Sequence, residues 1–189
     1  MAELLQALLL DIPEVLETKR LTLRAVGAGH GAASNAAMAE SFEQLKPWMP
    51  WAKQMQSPEQ SEANARETRA KWLAREALDF CWFRKDDGLL VGRGGLHTIQ
   101  WDIPKFEIGY WVRTSCARQG YATEGTQALV DFARDVLGAR RLEIGSDARN
   151  TPSRRVAEKC GFTLEGILRQ ARRDNSGELA DACVYAKTF

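Results

Sequence analysis

Residues 20–26 read RLTLRAV, with apolar and polar side chains in turn, the alternation of a strand with one buried face. Residues 29–45 are rich in alanine and glycine and predict a short helix or two. LKPWMPWAK (45–53) holds two prolines and two tryptophans, so regular structure stops there and large aromatic surface falls in a loop. SPEQSEANARETRAKWLAREA (57–77) opens with Ser57 as cap, Pro58 as first helical residue, and Glu59 and Glu62 in the first turn of an amphipathic helix. DFCWFRK (79–85) and LLVGRGGLHTIQ (89–100) are strands joined by the hairpin signal Asp86-Asp87-Gly88. Glycines 92, 94 and 95 predict a bulge or a close backbone approach in the second.

KFEIGYWVRT (105–114) is a third strand, after a turn at Pro104. YATEGTQALVDFARDVLG (121–138) has apolar residues near a 3.6-residue period and a glycine stop at Gly138. RRLEIGSD (140–147) is a strand, and NTPSRRVAEKCG (150–161) is a short helix ending at Gly161. FTLEGILRQARR and ACVYAKTF are terminal strands separated by a turn at DNSGE. Neither a repeat nor a change of composition divides the chain, so the pattern predicts one α+β domain over residues 1–189.

Charge narrows the function classes. Lys and Arg number 26 against 25 Asp and Glu, a formal net charge of +1, so no global basic field attracts nucleic acid and any anion site must be local. The basic run LRQARR (168–173) reads as a solvated patch. The four cysteines lie far apart and there are two histidines, which gives no metal-ligand spacing and suits a reducing compartment. The start MAELLQALLLDIPEV lacks a basic leader region, carries Glu3, Asp11 and Glu14, and is too short to span a bilayer. A cytoplasmic protein without a membrane partner is expected.

SCARQGYATEG (115–125) puts a glycine turn between a strand and a helix. The first N–H groups of a helix have no internal partner and its dipole adds positive charge, so such a turn can hold a phosphate, with Arg118 reinforcing it. Neither the P-loop nor the dinucleotide fingerprint is present. On its own the turn reads first as an ordinary connection, since turns of this kind are common.

Four stretches in this order resemble the GCN5-related N-acetyltransferase (GNAT) family, and its RimJ/RimL-like branch that acetylates the N-termini of ribosomal proteins. They are LKPWMPW (45–51), EIGYWV (107–112), ARQGYA (117–122) and NTPSRRVAEKCGF (150–162), and the similarity runs over about residues 18–188. The resemblance implies a mixed, twisted sheet with splayed central strands, helices on both faces, and acetyl-CoA wedged between those strands. It places the N–H groups of Arg118, Gln119, Gly120, Tyr121, Ala122 and Thr123 on the pyrophosphate. Ala117 stands where the family signature has Gln or Arg, which removes a side-chain contact but not the backbone ones. The exposed backbone at Val112 and Arg113 would pair with the pantetheine arm, and Asn150 would hydrogen-bond it. Trp48 and Trp51 would wall the acceptor pocket, with His97 and Trp101 near it. The acceptor is an amine, of a protein N-terminus or of a small molecule, and the family allows a homodimer; neither a metal nor nucleic acid is implied.

Acetyl transfer needs a neutral amine, a held carbonyl, a stabilised oxyanion and a proton for the leaving thiolate. Glu107 is the candidate base, direct or through water, a role that suits a carboxylate desolvated among apolar neighbours; the other reading is a solvent-facing ion-pair partner. The tyrosine that many relatives use as the acid is replaced by Ala157, so Ser153 is the candidate acid, or else a helix cap. A backbone N–H near Val112 would serve the oxyanion. The competing function is a non-catalytic acyl-CoA-binding or regulatory module, favoured by Ala117 and Ala157 and opposed by Glu107, Ser153 and Asn150.

Overall fold

The computed structural model describes residues 2–189, so Met1, the start of the apolar leader-like stretch, lies outside the described residues. Eight strands form one sheet: β1 (Val15–Glu17), β2 (Leu21–Ala25), β3 (Leu78–Arg84), β4 (Leu90–Gln100), β5 (Lys105–Val112), β6 (Arg141–Asp147), β7 (Thr163–Arg173) and β8 (Leu179–Thr188). Their order is β1-β2-β3-β4-β5-β6-β8-β7. Neighbours run antiparallel except β5 and β6, which are parallel. The helices are α1 (Ala2–Leu8), α2 (Gly31–Leu45), α3 (Pro58–Leu73), α4 (Tyr121–Asp135) and α5 (Thr151–Lys159), with a 3₁₀ turn at Thr114–Cys116.

Both sheet faces are covered, as strand alternation shows. Phe80 and Trp82 of β3 join Leu129, Val130 and Phe132 of α4 in one core with Phe106, Ile108, Leu142 and Ile144. Cys81, one residue out of phase, joins Ala37 and Leu45 of α2 and Ala65 of α3 in a second core, with Leu90 and Trp111. β3 is therefore buried on both faces.

Local chemistry sets the helix ends. At α3 the Ser57 hydroxyl accepts from the Gln60 N–H at 3.2 Å while the Gln60 side chain accepts from the Ser57 N–H at 2.8 Å, a reciprocal capping box. Glu62, expected merely in the first turn, accepts the N–H groups of Gly29 and Gly31 at the start of α2. A Cβ at Gly31 would sit 2.4 Å from the Glu62 Cα, so glycine lets the two helices cross there. The α3 helix stops four residues before the sequence reading ends it, because Arg75 turns left-handed at φ 61° to release the chain into β3. Gly138 ends α4 at φ 65°, with the Ala139 N–H returning to the Ala133 carbonyl. Residues 31–45 form one continuous helix, and the sequence pattern anticipated neither α1 nor the three-residue β1. All four cysteines are buried and free. Among the described residues no helix is long and apolar enough to cross a membrane.

Candidate active site

The site begins where the sheet opens. β5 and β6 share three pairs, Lys105–Arg141, Phe106–Leu142 and Glu107–Glu143, and then part. β5 runs on to Val112 against β4, and β6 to Asp147 against β8, leaving a gap between them. The Arg113 N–H donates to the Val91 carbonyl at 2.8 Å. Antiparallel alternation then directs the amides of Trp111 and Gly109 into β4 and leaves those of Tyr110 and Val112 facing the gap. Val112 thus keeps the free edge expected of it. Arg113 does not, since its N–H is committed to Val91 and its guanidinium to Glu40 at 2.5 Å. A cavity of about 660 Å³ fills the opening.

On the α4 side lies the cradle. Arg118 and Gly120 both adopt positive φ, 60° and 84°, which turns the chain so that successive N–H groups point the same way. Among the described residues the N–H groups of 118 to 123 have no backbone partner, and the first to close a bond is Glu124, to Gly120. Arg20 of the loop before β2 fastens this turn: Nη1 donates to the Gln119 carbonyl at 2.9 Å, and the guanidinium stacks 4.3 Å over Tyr121. Its Nε meets Glu124 at 2.6 Å, and Glu124 also takes the Thr18 hydroxyl and the Arg20 N–H. Burial raises the Glu124 proton affinity, but those donors outweigh it and hold the carboxyl below its ordinary range. With six donors free and a glycine at the bend, the turn fits a diphosphate. Gly120→Val forces a branched residue to φ 84° and should weaken acetyl-CoA binding about tenfold, on the 1–2 kcal/mol cost of a left-handed residue. Titration calorimetry checks this, and unchanged affinity would contradict the assignment.

Deeper on the same side, Asn150 caps α5 by accepting the Ser153 N–H at 3.2 Å, which leaves the Ser153 hydroxyl out of the capping role. That hydroxyl lies 3.1 Å from the phenol of Tyr110, which also donates to the Ser153 carbonyl at 3.1 Å. Burial pushes the Tyr110 phenol up to about 12, so it stays protonated as a donor. Asn150, Ser153, Tyr110 and Ser146 all border the cavity, and the buried Ser146 hydroxyl has no protein partner. An orphaned hydroxyl at the splay is what a bound polar ligand would satisfy.

On the opposite side Glu107 meets His97 and Thr98. The β4–β5 register breaks between His97 and Gln100, and Thr98, a β-branched residue, is held at φ 51°. The bulge brings the Thr98 hydroxyl 3.2 Å from Glu107 Oε2 and 3.1 Å from His97 Nδ1, with His97 and Glu107 3.8 Å apart. Two glycines make room: a Cβ at Gly109 would lie 2.7 Å from His97 Nε2, and one at Gly145 3.0 Å from Glu107 Oε1. The Glu107 carboxylate therefore reaches across the splay. Its surroundings are polar and its side chain is 32% exposed, so the apolar setting expected for it is absent. Trp48 and Trp51 border the cavity, Trp51 with its ring 6.2 Å from Trp111. Trp101 does not. Its indole N–H donates to the Arg75 carbonyl and its ring packs on Phe106, away from the cavity wall.

The sequence reading missed Tyr110, Thr98, Ser146 and Arg20. Tyr110 had a signal, since it shares a strand face with Phe106 and Ile108 and carries the polar group of that row. Arg20 had none, its partner Glu124 being distant in the chain.

The sequence profile of the acetyltransferase (GNAT) domain matches residues 20–163. The chain belongs to the GNAT acetyltransferase family. It is 28% identical over 170 residues to the ribosomal-protein-serine acetyltransferase of Escherichia coli, covering 90% of this chain and 93% of that one. The uncharacterised N-acetyltransferase YoaA of Bacillus subtilis is 28% identical over 172 residues, covering 91% and 95%. The fold matches the RimL ribosomal L7/L12 alpha-N-protein acetyltransferase solved with coenzyme A, with a TM-score of 0.87, 25% identity, and 93% and 98% of the two chains covered. This GNAT enzyme is an N-acetyltransferase with acetyl-CoA as its co-substrate. The splay between β5 and β6 is that fold's central opening.

Proposed function

We propose that this acetyltransferase transfers the acetyl group to the α-amine of a polypeptide N-terminus by direct attack within a ternary complex in the cytoplasm. One observation carries this: the splay cavity has Asn150, Tyr110 and Ser153 on one side and Glu107, His97, Trp48 and Trp51 on the other, and α4, which begins at the cradle, packs on the side of Tyr110. The acceptor side opens to solvent past His97 and Trp51, 45% and 44% exposed, which leaves a chain room to extend. The ribosomal-protein acetyltransferases among its relatives support a protein acceptor.

In this reading Glu107 takes the proton of the amine, directly or through one water, with Thr98 fixing which carboxylate oxygen is engaged. The amine nitrogen forms the bond to the thioester carbonyl carbon. The Val112 N–H holds the oxygen as it becomes negative. When the carbon–sulfur bond breaks, Ser153 gives its hydroxyl proton to the departing sulfur and is reprotonated from solvent as Glu107 releases the proton it took. The Tyr110 phenol, 3.1 Å away, stays protonated and holds the Ser153 side chain in place. No atom of the protein becomes acetylated.

The test incubates the enzyme with isotopically labelled acetyl-CoA and an extract holding peptides and small amines, and reads the products by mass spectrometry. Label on peptide N-termini is the expected result. Label on a small amine alone would overturn the peptide acceptor, and no label would overturn turnover itself.

A further inference from the structure

The cavity wall carries two cations that the transfer reaction does not use. Arg93 is committed: it meets Asp79 at 3.3 Å, the Thr68 hydroxyl at 2.8 Å and Asn64 at 3.0 Å. Asp147 is held on both oxygens by Arg149, at 2.9 and 2.8 Å, and only feels Arg172 at longer range. Arg172 and Arg173, at the end of β7, have carbonyl partners instead. Arg172 donates to the Trp48 carbonyl at 3.3 Å and Arg173 to that of Gly177 at 2.7 Å, and neither has a carboxylate partner among the described residues. Each guanidinium has five donors, so most are left over.

Their placement is fixed. Asn175, just beyond β7, donates to the carbonyls of Lys46 and Met49 at 2.7 Å, which pins the β7–β8 turn to the tryptophan loop. Arg172 therefore forms one wall with Trp48. A half-buried guanidinium without a counter-ion is costly, and an anion brought by a ligand would remove that cost. Across the same cavity Glu107 offers a negative group suited to an amine.

We infer that the acceptor carries an anionic group, a carboxylate or phosphate, close to the amine that is acetylated, and that Arg172 and Arg173 bind it. This rests on the transferase reading above and names its substrate class. The anion has two sources: an acidic side chain near a peptide N-terminus, or the carboxylate of a small amino acid. Polyamine-like acceptors meet the wrong charge at this wall.

The experiment compares kcat/KM, at saturating acetyl-CoA, for peptides matched except for two glutamates, two glutamines or two lysines after the first residue. A second arm compares free glutamate with its bis-amide. A glutamate-over-glutamine preference of about tenfold is expected, the scale of one charge-assisted hydrogen bond. The arm that shows it identifies the source. Arg172→Gln and Arg173→Gln should each move the ratio toward one, and Arg173→Lys should keep part of it. Should Arg172→Gln fail to fold, Arg173→Gln carries the test, since Arg173 is exposed. A wild-type ratio near one, or variants that slow every acceptor equally, would overturn the inference while leaving acetyl transfer intact. No transfer to any acceptor would overturn both.

Discussion

Glu107→Gln is expected to lower kcat about 10²–10⁴-fold, the usual contribution of a positioned base. The acetyl-CoA KM should stay as it is, because Glu107 lies on the far side of the splay from the cradle. Glutamine keeps the shape and can still accept the Thr98 hydroxyl, 3.2 Å away in the wild type, so the bulge should survive. What it cannot do is take a proton. The variant then depends on amine that is already neutral, a fraction that grows as pH rises through the α-amino pKa of about 8. The defect should therefore shrink at alkaline pH. Rates read against pH for both proteins check this. A loss under about threefold, or a defect that is the same at every pH, would remove Glu107 from the base role.

Trp82→Ala should destabilise the fold by about 3–5 kcal/mol, the range for deleting a buried large aromatic. Trp82 is fully buried and lies between two glycines. A Cβ at Gly94 of β4 would come 2.5 Å from its ring, and one at Gly125 of α4 2.6 Å. The indole thus sets the distance between α4, which begins with the cradle, and the sheet. It also stacks at 6.5 Å and 21° on Tyr110, the partner of Ser153. Removing it leaves a cavity under the phenol, because backbone on both sides prevents collapse. Urea denaturation followed by far-UV dichroism measures the effect. A midpoint shift worth less than about 1 kcal/mol would show that the surroundings collapse into the space.

Much of this architecture is written in local pattern. The alternation of RLTLRAV and KFEIGYWV, the Ser57-Pro58 start and the glycine at 138 each act within a few residues, and the chain obeys them. The glycine cluster at 92–95 announced close approach, and the structure shows what approaches: Trp82 at Gly94 and the Trp111 carbonyl at Gly92. The candidate site was legible in part, because the turn at 118–123, Glu107, Asn150 and Ser153 sit in motifs with fixed order. The rest depends on contacts between distant segments. Arg20 meets the cradle, Arg172 meets Trp48, and Tyr110 meets Ser153 only after the sheet is assembled. Trp101 shows the converse error. Its nearness in sequence to His97 suggested the pocket, but the bulge at Thr98 turns the chain and sends the indole to Arg75.

The central claim is that amine and thioester meet in one cavity with no acetylated protein between them. Initial rates measured across a grid of acetyl-CoA and peptide concentrations test it most directly. Double-reciprocal lines that intersect, with no acetyl group retained by the enzyme after acetyl-CoA alone, are the predicted result. Parallel lines, together with a mass increase of one acetyl group on the protein, would contradict it.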